Sequence, residues 1–282
     1  MTHNSFDLDL TNIPQEIPEI FAPGIVNTHH HEHSAPTISP TEDLIFWSRW
    51  RRPDESLPQV IMYIKKISEN KWTLPEIAPF SGVVSDGGPT FNFSGDKLFF
   101  YSKRDLMEKE VPSNNIWYIQ REKSSWSEPI KISSNVNTDK LQAGPSLARN
   151  GNLYFINYRD TTPGNMALAR AEYVDGTYSQ PEFLGPPFNV DTHDWLPYVA
   201  PDESYLIFSG NSKENSDRFD LYISFRDPSG SWGERINLGD KINTKGAERF
   251  PGVSHDGKIF FFVRDSEIYW YSAKFIEKLR AK

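Results

Sequence analysis

One short sentence is repeated along this chain at intervals of 52 to 56 residues, and that period constrains the fold more than any other feature. Its plainest copy runs Gly88-Pro89-Thr90-Phe91-Asn92-Phe93-Ser94-Gly95-Asp96-Lys97-Leu98-Phe99-Phe100-Tyr101-Ser102. Others are Gly144-Pro145 to Phe155, Leu196-Pro197 to Ser209, Phe250-Pro251 to Phe262, and Ala35-Pro36 to Ser48. The anchoring prolines stand at 36, 89, 145, 197 and 251. A period of this size, made of short apolar runs and tight turns, marks a repeat architecture.

Within each copy a proline leads a short strand, a turn, and a second strand. Gly95-Asp96, Asn150-Gly151, Asp202-Glu203 and Asp256-Gly257 supply the positive φ or Asx geometry of hairpin turns. Second strands such as Leu98-Phe99-Phe100-Tyr101 are apolar on both faces, as expected of a strand sandwiched between neighbouring sheets. Third strands follow at Val60–Ile64, Ile116–Ile119, Met166–Ala169, Leu221–Ser224 and Ile268–Tyr271. Fourth strands are expected over Trp72–Ile77, Trp126–Ile132, Tyr178–Leu184 and Trp232–Leu238. Four antiparallel strands per repeat make a propeller blade.

The fifth repeat lacks a fourth strand. After Tyr271 comes only a short amphipathic segment (272–282), read as a helix with Ser272 as its cap. The missing strand is found at the other terminus, where Ile25-Val26-Asn27-Thr28 resembles Val136-Asn137-Thr138 and Ile242-Asn243-Thr244. The expected fold is therefore all-β, a five-bladed β-propeller of four-stranded blades. Its ring is closed by an N-terminal strand (18–28) completing the last blade, so that no edge is left open. Residues 1–17 are a lead-in, and 1–282 form a single domain.

The Pro-x-x-Ser-Pro-Asp-Gly-x-x-Leu-x-Phe-x-Ser pattern resembles the PD40, or WD40-like, repeats of the TolB-like β-propeller family. The resemblance covers the chain from Pro18 onward. It implies a propeller scaffold and a bacterial, periplasmic setting, but no single function, since one scaffold serves many roles. The TolB type also has six blades and an N-terminal α/β domain, and residues 1–17 are too few to supply one. Met1-Thr2-His3-Asn4-Ser5-Phe6-Asp7 has neither the basic start nor the apolar core of a signal peptide.

A formal net charge of −8 disfavours nucleic acid and anionic membranes as partners. With no cysteine, disulfides and thiol chemistry are excluded. No apolar run reaches the length of a membrane span. There is no Gly-x-Ser-x-Gly elbow, P-loop or dinucleotide fingerprint. A monomer is expected.

In a propeller, connections from a fourth strand to the next first strand share one face with those between second and third strands. On this face the chain places His29-His30-His31-Glu32-His33, Asp86, Gln142, His193-Asp194-Trp195 and Glu248-Arg249. Arginines 49, 51, 52, 104, 159 and 264 follow the second strands. Polar insertions are expected at Lys103–Asn115, Asn157–Asn165 and Asn211–Arg218. A ligand pocket at the channel mouth is expected from His33, Glu32, Asp86, Gln142, His193, Asp194, Trp195, Glu248 and Arg249, with Arg104, Arg159 and Arg264 on its rim. His31, His33 and His193 are candidate ligands for zinc, manganese or iron, against the plainer reading of a solvated polar loop. Glu32, Asp86, Asp194 and Glu248 share one position in four blades. They are read either as acid–base groups for glycoside hydrolysis or as acceptors for backbone amides. The arginines either lock the blades or present forks to an anion, and Trp50, Tyr158 and Trp195 offer stacking surfaces. Two functions follow. One is a non-catalytic propeller binding a small anionic or carbohydrate ligand, or a protein, at the mouth. The other is a metal- or carboxylate-dependent hydrolase or lyase acting on an anionic carbohydrate.

Overall fold

A computed structural model describes residues 5–50, 57–104, 113–123, 125–160, 166–190, 193–212 and 215–281. The fold is all-β, a propeller-like arrangement of antiparallel sheets with one short helix, Phe275–Arg280. Among the described residues, five sheets have four or more strands, and the chain visits them in order.

The second sheet shows the plan: Asp86–Phe91, Lys97–Ser102, Asn115–Glu122 and Ile130–Lys131, each paired antiparallel to the next. First strands begin several residues before the proline, at Asp86, Gln142, Asp194 and Glu248, and each carries a register shift beside it. The residue before the proline takes positive φ there: Gly88 and Gly144 without strain, Leu196 at 52° and Phe250 at 54° with it. In the first sheet this strand is split into His31–Glu32 and Thr37–Ile38.

Fourth strands are broken, not continuous. Trp72 and Trp126 extend the far end of the third strand in short hairpins, and a separate two-residue strand then pairs nearer its start. Pro75, Pro129 and Pro181 stand between the two pieces in the first three sheets, where a residue without an N–H interrupts the ladder. The expected insertion Asn211–Arg218 also differs. Its flanks are strands, Tyr205–Ser212 and Asn215–Phe225, which prolong the fourth sheet. Ser272 ends a strand instead of capping the helix, whose N-cap is Lys274.

Glu19–Ile20 pairs with Glu267–Ser272, giving the fifth sheet its outer strand. Asn27 reinforces the join: its Oδ1 accepts the Ile268 N–H at 2.7 Å and its Nδ2 donates to the Ile268 carbonyl at 3.0 Å. Asn137 holds Ile116, Asn189 holds Leu168 and Asn243 holds Leu221 by the same two bonds.

The core is divided among the contacts between sheets. Phe46, Ile61 and Phe100 fill the first–second contact; Phe99, Ile116 and Phe155 the second–third; Tyr154, Leu168 and Phe208 the third–fourth. Ile207, Leu221 and Phe260 fill the fourth–fifth, while Trp47, Phe21, Phe261 and Trp270 pack the fifth against the first. Burying one such phenylalanine ring contributes roughly 1.5–3 kcal/mol of transfer free energy. A narrow cavity of about 80 Å³ is lined by the proline segment of all five repeats, with Pro36, Pro89, Pro145, Pro197 and Pro251 on its wall.

Candidate functional site

At or next to the start of each first strand stands a residue that is almost wholly buried: Glu32, Asp86, Gln142, Asp194 and Glu248 are at most 1% exposed. A buried carboxylate needs a partner or it will not stay ionised. In the first sheet Arg49 binds Glu32 at 2.9 Å and donates to the Val26 carbonyl, while Trp47 Nε1 donates to the same carboxylate at 2.8 Å. Burial pushes the Glu32 pKa upward, and Arg49 opposes it. In the second sheet Arg104 Nη2 meets Asp86 at 2.8 Å, and Ser81 Oγ donates to the other oxygen. In the fifth, Arg264 meets Glu248 at 2.9 Å, with Thr244 donating from backbone and side chain.

The fourth sheet reaches the same result from another direction. Its second strand has Gly210 opposite Asp194, and the arginine comes from the outer strand: Arg235 Nη1 lies 3.1 Å from Asp194. A Cβ on Gly210 would fall 2.3 Å from Arg235 Nη2, so the glycine makes room for the guanidinium. The third sheet replaces charge with amides. Gln142 donates to Asn157 and Thr138 at 2.9 Å each and accepts from Asn115 and the Thr138 N–H.

Each of the four carboxylates expected on one pocket floor is thus bound by an arginine of its own sheet. Arg49, Arg104 and Arg264 are consumed in these latches and form no rim. Arg159 lies over the Phe183 ring of the third sheet, at 5.1 Å. Arg51 and Arg52 lie outside the described residues.

A different group does come together at the loop end, on the first, fourth and fifth sheets. His33 packs edge-on to Phe250 at 4.7 Å and to Trp50 at 5.9 Å. Arg249 covers Phe219 at 4.6 Å; Phe219 meets Trp195 at 5.1 Å, and His193 stacks on Trp195 at 5.8 Å with only 11° between ring planes. Burial, with Arg249 adding to it, lowers His33 to about 4, so its ring is neutral at neutral pH. Nε of Arg249 and Nε1 of Trp195 are buried donors with no hydrogen-bond partner. The two strained residues, Leu196 and Phe250, are neighbours of this arc in sequence. Of the expected site residues, His33, His193, Trp195 and Arg249 belong to it. Phe219 was missed because it lies beside a segment read as loop, and Arg235 because it follows no second strand.

Among the described residues no group of three or more histidines and carboxylates is placed to hold a metal ion. His31 pairs in register with Trp50, on the strand that leads to His33. No helix among them is long and apolar enough to cross a membrane.

No protein-family model matches the chain, and no curated protein matches it in sequence. Solved structures do. Putative TolB from Agrobacterium tumefaciens superposes with a TM-score of 0.53 at 12% identity, over 84% of this chain and 71% of that one. An α-L-arabinofuranosidase from Lactobacillus brevis gives 0.51 at 14% identity, over 84% and 88%. A protein of unknown function from Dyadobacter fermentans gives 0.51 at 12% identity, over 94% and 84%. At such identities the likeness shows the fold alone, a propeller similar to TolB and to other propeller proteins.

Proposed function

We propose that the five sheets are the blades of a single closed five-bladed ring of PD40 type, four antiparallel strands to a blade. The N-terminal strand completes the last blade, and the five inter-sheet cores and the Asn27 clamp support this closure. The ring is a non-catalytic binding protein. Its ligand, a small carbohydrate or anion, sits at the loop end against Trp195, His193, His33 and Phe250, with Arg249 contributing positive charge. Stacked rings suit the apolar face of a sugar, and a guanidinium suits a carboxylate.

One observation carries this reading: every carboxylate that opens a first strand is buried and bonded within its own sheet. Glycoside hydrolysis needs two carboxyl groups facing the scissile bond, and here each would first have to abandon an arginine. The rival reading is a hydrolase or lyase that uses these acids, or a metal on His31, His33 and His193.

The test is a titration of acidic and neutral oligosaccharides followed by intrinsic tryptophan fluorescence. Trp195→Ala should weaken the binding seen by about tenfold or more, within the range of a lost stacking contact, and Arg249→Gln should erase any preference for acidic ligands. Binding unaltered in both variants overturns the site. Turnover of a glycoside that disappears in Glu248→Gln, or stoichiometric zinc, manganese or iron lost in His33→Ala, overturns the non-catalytic reading.

A further inference from the structure

At the opposite, turn end of the sheets, Glu203 occupies the tight turn between the first two strands of the fourth sheet. Its φ is 58° and its N–H donates to the Ala200 carbonyl at 2.9 Å. From there its carboxylate reaches back into the crevice between the third and fourth sheets. It accepts from Asn152 Nδ2 at 3.0 Å, Tyr154 OH at 2.9 Å and Arg170 Nε at 3.2 Å, with Arg226 at 3.6 Å. Burial opposes ionisation there, but these donors outweigh it, and the Glu203 pKa falls below its ordinary value.

One sheet earlier the same turn position is Gly151, with φ 90° and its N–H bonded to the Ala148 carbonyl at 3.0 Å. It has no side chain to send into the crevice between the second and third sheets. Two of the three facing donors have polar counterparts, Lys97 for Asn152 and Tyr118 for Arg170, while Phe99 replaces Tyr154. Strand register pairs Phe99 with Tyr118 as it pairs Tyr154 with Arg170, which puts Lys97 where Asn152 stands in the next sheet. The crevice is a cavity of about 200 Å³ whose wall includes Lys97, Tyr118, Lys131, Ser133, Tyr173 and Tyr178. Lys97 Nζ lies 4.9 Å from the Tyr118 ring, and Tyr173 packs on Tyr178 at 5.0 Å. The Ser133 hydroxyl is buried with no hydrogen-bond partner. Asp96, beside Lys97, is turned into its own loop by Asn92 and Ser94.

We propose that this crevice binds a carboxylate-bearing monosaccharide, whose acid group takes the place that Glu203 fills one sheet further on. Lys97 supplies the charge, the tyrosine rings stack on the sugar, and Ser133 bonds one of its hydroxyls. The cavity is smaller than the roughly 300–1,000 Å³ typical of sites for drug-sized molecules, which suits one sugar ring. This site is independent of the loop-end arc.

Isothermal titration of the whole chain with D-galacturonate, D-galactose and acetate tests it. Galacturonate should bind at least about tenfold more tightly than either other probe, and Lys97→Gln should remove most of that advantage. Tyr173→Ala should weaken galacturonate binding with the thermal transition preserved, and should do so equally in a Trp195→Ala background, where the loop-end arc no longer contributes. Equal binding of galacturonate and galactose overturns the carboxylate, and equal binding of galacturonate and acetate overturns the sugar. Failure of all three to bind, or binding that survives Lys97→Gln but is lost in Trp195→Ala, overturns the crevice.

Discussion

The third and fifth sheets have the same frame and assemble it from different parts. In the third, the amide Gln142 opens the first strand and binds Asn157; in the fifth, Glu248 opens it and binds Arg264. In the third, Asn189 clamps Leu168 from 21 positions along the chain; in the fifth, Asn27 clamps Ile268 across 241. The fold therefore specifies hydrogen-bonding stations and is indifferent to whether charge or amide fills them, or to which terminus supplies the strand. This is why the acids at the loop end read as architecture.

The severest challenge to that comparison is to remove the borrowed strand. Deleting residues 1–26 takes away Glu19–Ile20 and Phe21 from the fifth sheet while leaving the third untouched. The whole chain should lose its cooperative thermal transition; a truncated protein that melts at the original temperature would show that the fifth sheet stands without it.

Next in size, Arg264→Met leaves Glu248 buried and uncompensated, and should cost about 3–5 kcal/mol in chemical denaturation. The double change Glu248→Gln with Arg264→Asn copies the third-sheet latch and should recover most of the loss. If the double variant is no better than the single, charge matters in the fifth sheet after all.

Acid should separate the two sheets as well. His33, packed on Phe250 of the fifth sheet, has its pKa depressed from 6.5 to about 4. The folded protein then binds fewer protons than the unfolded chain between these values, so stability is full above pH 6.5 and is lost as pH falls toward 4. The loss should approach roughly 2–3 kcal/mol and be absent in His33→Phe, as read from denaturation midpoints across that window. An unchanged slope in His33→Phe would place the titrating group elsewhere. The smallest effect belongs to the third sheet. Gln142→Ala strips partners from Asn157 and Asn115 and should cost about 1–3 kcal/mol, independent of pH over the same window.

Much of this frame was legible beforehand. The prolines, the turn pairs and the Val-Asn-Thr echo between Asn27 and Asn137 are set by backbone needs, which one sequence expresses directly. The latches were half legible. Their acids recur at a fixed position, but that position does not say which way a carboxylate points, and the strand bulge beside each proline decides it. Arg235 was hidden because the cue for it is an absence, the missing side chain of Gly210. Glu203 was read only as a turn former, since its reach into the neighbouring sheet is a property of packing between repeats. The arc around Phe219 was obscured because Asn211–Arg218 has the polar composition of a loop while its flanks run as strand.

The Asn27–Ile268 clamp also sets an order in time. Residues 19–28 leave the ribosome long before their partner Glu267–Ser272 is made. Until then Glu19–Ile20 must wait unpaired while four sheets condense behind it. The strand Glu267–Ser272, with Trp270 and Tyr271, presents an open apolar edge until the two ends meet. Contacts this distant in sequence form slowly, and unsatisfied strand edges invite association with other chains. The vulnerable moment in this protein's life is thus the pairing of Glu19–Ile20 with Glu267–Ser272, and a crowded or overheated cell would meet it with the fifth sheet still three strands wide.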